Sequence, residues 1–246
     1  MKPHQTSNTC IGCAGWSISS SVSEHFPASG SHLERYAARL DAVEINSSFY
    51  RPHRPQTYAR WRASVPEHFR FAVKVPKSIT HERRLKDAGE LLTKFLSEVA
   101  ELGDKLGPLL VQLPPSLNYE KGVTIAFLAT LRECFTGQVV CEPRHPSWFT
   151  PDVDVLLTHF QVARVAADPA ILPQAAEPGG WSGLVYYRLH GSPTIYRSEY
   201  SPEFLNRMSA SVQAQVTREV PAWCIFDNTA EGAATGNAIG MMERLR

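Results

Sequence analysis

Eight short apolar runs, each stopped by a polar residue, a proline or a glycine, constrain this chain more than any other feature. They fall at residues 9–16, 42–46, 71–75, 109–113, 139–142, 162–167, 184–190 and 223–228. Runs of this length, without polar alternation, read as strands buried on both faces. The fifth is the clearest: Val139-Val140-Cys141-Glu142 is cut off by Pro143-Arg144-His145-Pro146, and the prolines forbid its continuation as ladder or helix.

Helical periodicity fills the intervals. Ser31 and Glu34 form a capping-box pattern ahead of Leu33, Tyr36, Ala37 and Leu40, and Asp87 with Glu90 offers another before Leu91, Leu92, Phe95, Leu96, Val99 and Leu102. Pro55 suits the first turn of a helix over 56–64, and a helix over 123–135 follows the fourth run. Thr150-Pro151 and Ser201-Pro202 are an N-cap followed by proline at the first turn, and a last helix carries Ala238, Met241, Met242 and Leu245. Only residues 170–183, with Pro173, Pro178, Gly179 and Gly180, lack this pattern; they predict a loop with at most one short helical turn.

Eight strand–helix units in 246 residues have the count and size of a (β/α)8 TIM barrel of the α/β class, with a degenerate crossover after the sixth strand. A doubly wound sheet shares the alternation, but Gly12-Cys13-Ala14-Gly15-Trp16 lacks the G-x-G-x-x-G spacing of its phosphate turn. No linker divides the chain, so one domain over residues 9–246, after an extended or disordered leader at 1–8, is expected. The start of the chain has no apolar stretch of signal-peptide type and no run reaches membrane-spanning length, which predicts a cytoplasmic protein with no membrane partner.

A net charge of +1 argues against a polycation that coats nucleic acid, so any basic surface must be local. Five cysteines include the pair Cys10 and Cys13. Residues three apart on a strand point to opposite faces, which opposes a shared zinc or a redox pair there.

In a barrel, side chains at the carboxyl ends of the strands share one mouth. That rule collects Trp16, Glu44, Asn46, Lys74, Gln112, Glu142, Arg144, Asp168, Arg188, His190, Asp227 and Asn228. Burying so many charges is costly unless they pair, so a self-neutralised salt-bridge network is one reading of the set. Aromatic residues near the same ends, Trp16, Tyr50, Trp148 and Tyr196, would add flat walls for a ring-shaped ligand. Glu142, Asp168, His190 and Asp227 could hold a divalent metal, but they have no short diagnostic spacing and arginines lie among them, so a metal is possible and not favoured. Arg51, Arg54, Lys77, Arg83, Arg84 and Arg144, on loops after the second, third and fifth strands, suggest a positive field that favours an anionic ligand. Lys74 stands out because its strand neighbours are apolar; a desolvated lysine near other cations can act as a base or form an imine, although a structural ion pair is the commoner role. No G-x-S-x-G elbow, H-E-x-x-H helix or P-loop is present.

The segments Gly12-x-x-Gly15-Trp16, Val43-Glu44-Ile45-Asn46-Ser47-Ser48-Phe49-Tyr50, Phe71-x-x-Lys74-Val75-Pro76 and Gln112-Leu113-Pro114-Pro115 are also familiar as motifs. With Glu142-x-Arg144-His145-x-Ser147-Trp148, Tyr187-Arg188-Leu189-His190-Gly191 and Phe226-Asp227-Asn228, they closely resemble the YecE-like family, domain of unknown function 72. The resemblance runs from about Gly12 to Asn228 and implies a TIM barrel; it implies no reaction. Cys13-Ala14 departs from it, standing where a threonine and a serine would be expected.

These readings lead to an enzyme that binds a small anionic substrate, phosphorylated or sugar-like, at the strand ends. Glu142, Asp168, His190 and Lys74 are its candidate catalytic groups. Trp16, Glu44, Asn46, Tyr50, Gln112, Arg144, Trp148, Arg188, Asp227 and Asn228 are candidate binding residues. A metal-dependent phosphodiesterase or nucleic-acid-binding protein is one alternative, and a non-catalytic ligand-binding or regulatory protein is another.

Overall fold

The computed structural model describes residues 9–246, so the expected leader at 1–8 lies outside the described residues. Strands β1 (Thr9–Ala14), β2 (Ala42–Ile45), β3 (Arg70–Lys74), β4 (Leu106–Gln112) and β5 (Val139–Glu142) pair in succession, all parallel. β6 (Val162–Arg164) continues from β5, β7 (Ala166–Asp168) pairs with β9 (Val185–Leu189), and β10 (Ala222–Phe226) joins β9 to β1. β6 and β7 are the two halves of the sixth barrel strand. They part at Val165, whose N–H still donates to the Cys141 carbonyl at 2.9 Å. The result is a (β/α)8 barrel.

The helices follow the apolar stripes: α1 (His32–Ala37), the short α2 (Ser47–Tyr50), α3 (Pro55–Ala63), α4 (Gly89–Val99), α5 (Lys121–Cys134), α6 (Pro151–His159), α7 (Pro202–Thr217) and α8 (Ala233–Arg244). The Ser31–Glu34 capping box forms with both of its hydrogen bonds, and the Thr150 and Ser201 side chains cap α6 and α7. The box expected at Asp87 does not form. Asp87 sits at φ 46°, and α4 begins after Ala88 with no side-chain cap, because the chain must turn through left-handed backbone at Arg84, Leu85 and Asp87 to bring α4 onto the barrel.

The crossover at 170–183 contains the single 3-10 turn foreseen (Pro173–Ala176), plus a two-residue strand β8 (Gly179–Gly180) that pairs antiparallel to β6. Arg164 organises it. The guanidinium is buried, donates to the carbonyls of Gln174 and Glu177, and pairs with Asp154 of α6, whose carboxylate also accepts from the Gly180 N–H. A Cβ on Gly179 would collide with that guanidinium.

Two apolar layers result, sorted by strand periodicity. Val43, Phe71, Val73, Leu109, Val111, Val139 and Phe226 face outward against the helices. Ala42, Ala72, Leu110, Val140, Tyr186 and Ile225 face the barrel interior. Two residues beyond these inner positions come Glu44, Lys74, Gln112, Glu142, Arg188 and Asp227, so the same alternation turns each of them inward at the carboxyl end. Cys10 and Cys13 fall in different layers, as their spacing requires, and burial pushes both thiols up to about 12, which opposes thiolate chemistry. Among the described residues no helix is long and apolar enough to cross a membrane.

Candidate active site at the barrel mouth

Arg188 is the hub of the mouth. It arrives from β9 with no solvent exposure and grips Glu44 of β2 through two hydrogen bonds, Nη2 to Oε1 at 2.6 Å and Nε to Oε2 at 3.0 Å. Its Nη1 donates to Glu142 Oε2 at 2.9 Å, and Nη2 lies 3.2 Å from Asp227 Oδ2. Tyr186, one inward position below, donates its hydroxyl to Glu44 Oε2 at 2.8 Å. Paired carboxylates hold the guanidinium charged although burial opposes it.

His190 lies one inward position above Arg188. Its Nδ1 faces Asp227 Oδ2 at 3.0 Å and its Nε2 faces Glu142 Oε1 at 2.9 Å. With a carboxylate at each ring nitrogen, the favoured state is an imidazolium that donates to both. Burial works against that charge, but Glu142 and Asp227 outweigh it and raise the pKa of the ring. Conversely, burial would raise Glu142 and Asp227, yet Arg188 and His190, with Arg144 in addition for Glu142, keep Glu142 well below the carboxylate range and Asp227 lowered. Arg144 completes the cluster, with Nε and Nη2 on Glu142 Oε1 at 3.1 and 2.9 Å and Nη1 3.4 Å from the Tyr196 hydroxyl. Glu142 Oε1 is therefore shared between Arg144 and His190.

Lys74 is different from the other charges. Its side chain is buried, its Nζ sits 4.0 Å above the Phe49 ring, and no carboxylate lies within ion-pair distance of it among the described residues. Ser48, between strand and ring, donates to the carbonyl of Lys74 at 2.6 Å and so pins α2 across the end of β3. Burial and the Arg188 charge bring the ammonium down to about 8, with Glu44, Glu142 and Asp227 offsetting only part of this. Sequence reasoning read the segment after Asn46 as loop and missed Phe49. The signal available was the polar-to-aromatic step Ser47-Ser48-Phe49 directly after a strand.

The remaining expected residues divide. Gln112 ends β4 beside Glu142 and is buried. The Asn46 Oδ1 is buried without a hydrogen-bond partner among the described residues. Trp16 is half-buried and edge-on to Trp61 at 5.0 Å, and Tyr50 is exposed at the rim. Asp168 stands apart from the Arg188 cluster, its Oδ1 accepting from the Tyr200 hydroxyl at 2.8 Å. The stacking role expected of Trp148 does not fit its position. The indole is 2% exposed, donates to the Leu117 carbonyl at 2.8 Å and packs edge-on against Tyr119. Asn228 likewise ties loops together, donating to Ser198 and Asn237.

The four residues weighed as a metal set are divided in the same way. Glu142 and Asp227 are taken by cations and Asp168 by Tyr200, and no cluster of three or more His, Cys, Asp or Glu able to hold a metal ion occurs among the described residues. The basic loop is also partly neutralised: Lys77 pairs with Glu82, Lys86 with Glu120, and Arg84 bonds Ser116.

Residues 10–246 match the family model described as protein of unknown function DUF72. The chain belongs to the DUF72 family. It is 34% identical over 118 residues to UPF0759 protein YecE of Escherichia coli strain K12, an alignment covering 48% of this chain and 43% of that protein. UPF0759 protein YunF of Bacillus subtilis strain 168 is 28% identical over 149 residues, 57% of this chain and 52% of YunF. The alignments thus span about half the length of these curated relatives. Among solved structures, a DUF72 protein of Enterococcus faecalis V583 superposes with a TM-score of 0.79 at 24% identity, covering 96% of this chain and 95% of that one. A DUF72 protein of Thermotoga maritima MSB8 gives 0.77 at 24% identity, covering 96% and 98%. A fusion of a xylose isomerase-like TIM barrel with 4-hydroxyphenylpyruvate dioxygenase reaches 0.51 at 13% identity, over 95% of this chain and 41% of the fusion. At these identities the superpositions speak for the fold alone.

Proposed function

We propose that the barrel mouth of this DUF72 protein is the active site of an enzyme acting on a small anionic substrate. The observation that carries this reading is a cavity of about 70 Å³ with Arg144, His190 and Glu142 at one side and Pro143, Ala167, Pro169, Ile171, Ala175 and Ile195 around the rest. Its polar side has unspent positive charge. Arg144 and the His190 imidazolium stand there against one carboxylate, Glu142, which leaves one cation in excess at the cavity wall. Apolar walls keep the local dielectric low, where a carboxylate or phosphate oxygen on Arg144 gains most.

In this reading Arg144 supplies the field that holds the anion. His190 is the general acid, because each of its two N–H protons is held against a carboxylate that stays ionised. Glu142, ion-paired on both oxygens, serves as acceptor and anchor and has no proton to give. Asp227 and Arg188 position the ring and the carboxylate.

A thermal-shift screen of the purified protein against orthophosphate, sugar phosphates and short carboxylates tests the reading. A ligand at 100 times its Kd stabilises a fold by about 2.7 kcal/mol, and Arg144→Gln should remove that shift. Product formation from the stabilising compound separates an enzyme from a binding protein that returns its ligand unchanged. An Arg144→Gln variant that keeps every anion shift would overturn the site as drawn.

A further inference from the structure

We propose that Lys74 is a nucleophile that forms an imine with a small aldehyde or ketone, so that the anion bound at this mouth is a carbonyl compound. The proposal rests on the anion-site reading above and adds the functional group on which the protein acts.

Three observations converge on the Lys74 amine. Among the described residues its cationic form has only the face of the Phe49 ring at close range, 4.0 Å away, although three carboxylates stand in the same barrel layer. Those carboxylates are spent: Glu44 is held by the Nε and Nη2 of Arg188, Glu142 by Arg188 and Arg144, and Asp227 by Arg188 and His190. The strands that flank β3 end in polar groups with unused capacity. Asn46 Oδ1 is buried without a partner after β2, and the Gln112 amide closes β4 with no ion pair or hydrogen bond of its own among the described residues. A lysine kept for structure would be expected on one of the carboxylates; this one is kept from them by a buried guanidinium that competes for each.

Burial has the largest influence on the amine's proton affinity and lowers it. Arg188 of β9 lowers it further, Glu44 of β2, Glu142 of β5 and Asp227 after β10 raise it, and the pKa of His81, beside Phe49, is itself lowered by burial and by the Lys74 and Arg144 charges. The resulting value of about 8 leaves an appreciable fraction of free amine at neutral pH, the condition that imine-forming lysines reach by desolvation or a neighbouring cation.

The chemistry balances without a further reagent. The free Nζ lone pair forms a bond to the carbonyl carbon, and the carbonyl π pair moves to oxygen, which takes a proton from an acid of the mouth, His190 in our assignment. The nitrogen returns its proton to His190, which passes it to the hydroxyl; the nitrogen lone pair then expels that group as water, and a cationic imine remains. One water leaves, and nothing is oxidised or reduced.

Reductive trapping tests this on the wild-type protein. Pyruvate, dihydroxyacetone phosphate and, as the uncharged control, dihydroxyacetone are each incubated with the protein and sodium cyanoborohydride, and the modified lysines are mapped by peptide mass spectrometry. We expect an increment equal to the carbonyl compound less one oxygen atom on Lys74. At pH 7 it should accumulate about tenfold or more faster than on exposed lysines such as Lys94. Lys74→Met should lose that adduct alone, and the initial rate on Lys74 should rise to a plateau above about pH 8. Labelling spread over surface lysines with none enriched at Lys74 would overturn the proposal, as would a Lys74 rate still climbing like theirs at pH 10. If orthophosphate stabilises the protein but no carbonyl labels Lys74, the anion site stands and the imine falls. If dihydroxyacetone labels Lys74 as fast as its phosphate, and Arg144→Gln changes neither, the nucleophile stands and the anion site falls.

Discussion

Arg188 and Glu44 meet through two hydrogen bonds, at 2.6 and 3.0 Å, with neither side chain exposed to solvent. They come from strands on different sides of the β1–β10 seam, so this pair fixes the positions of β2 and β9 relative to each other. A fully desolvated pair is costly to assemble and far more costly to break from one side.

Arg188→Ala should therefore leave Glu44 as an uncompensated buried carboxylate and strip Glu142 of one of its three cationic partners. The expected loss is about 3–5 kcal/mol, a fall in Tm on the order of 10 °C for a chain of this length, read by calorimetry. A Tm within 2 °C of wild type, to within about half a kcal/mol, would show that the network is not a structural element.

Tyr186→Phe isolates one strut of the same network. It deletes only the hydroxyl that reaches Glu44 Oε2 from below, a hydrogen bond to a charged acceptor worth about 1.5–3 kcal/mol. Denaturant unfolding should show the midpoint shifting down with no change in slope.

Much of this was legible in the sequence, for a stated reason. Six of the eight barrel strands place an inward residue two positions before a polar one: Ala42 before Glu44, Ala72 before Lys74, Leu110 before Gln112, Val140 before Glu142, Tyr186 before Arg188 and Ile225 before Asp227. The polar residue that ends each apolar run located the mouth. Pairing within it was not legible, because which carboxylate Arg188 takes depends on barrel closure and not on spacing. Trp148 was misjudged for a related reason: a large aromatic after a strand end looks the same in sequence whether it faces a ligand or packs under the loop at Leu117. The break at Val165 left no residue signal either, since Val162 to Ala167 is uniformly apolar apart from Arg164.

Stability should depend on pH through His190 with a definite sign. Its folded pKa is raised above the ordinary value of 6.5, so its contribution is fully present below that value and is lost as pH climbs through the folded pKa. Glu142 and Asp227 are lowered, so their contributions are present above the ordinary carboxylate range and are lost as pH falls through their folded values. The difference in unfolding free energy between wild type and His190→Gln should accordingly be larger at pH 6 than at pH 9. An equal difference at both would remove the imidazolium from this account.

Lys74→Met offers the opposite test. The change replaces a desolvated ammonium that has no counter-ion at hand with an apolar chain of similar length, so the protein should keep its Tm or gain about 1 kcal/mol. A loss of 2 kcal/mol or more would mean that the Phe49 contact alone outweighs the desolvation of the charge.

The sixth strand changes allegiance at Val165, its first half bonded to β5 and its second to β9. Main-chain hydrogen bonding therefore gives the wall between Glu142 and Arg188 only three residues of pairing on either side. Above that joint the two banks are bridged by side chains instead, Arg188 and His190 both reaching over to Glu142. The groups that would handle a substrate are thus also the clasp of the barrel, and a ligand that drew Glu142 away from either partner would loosen the wall in which it sits.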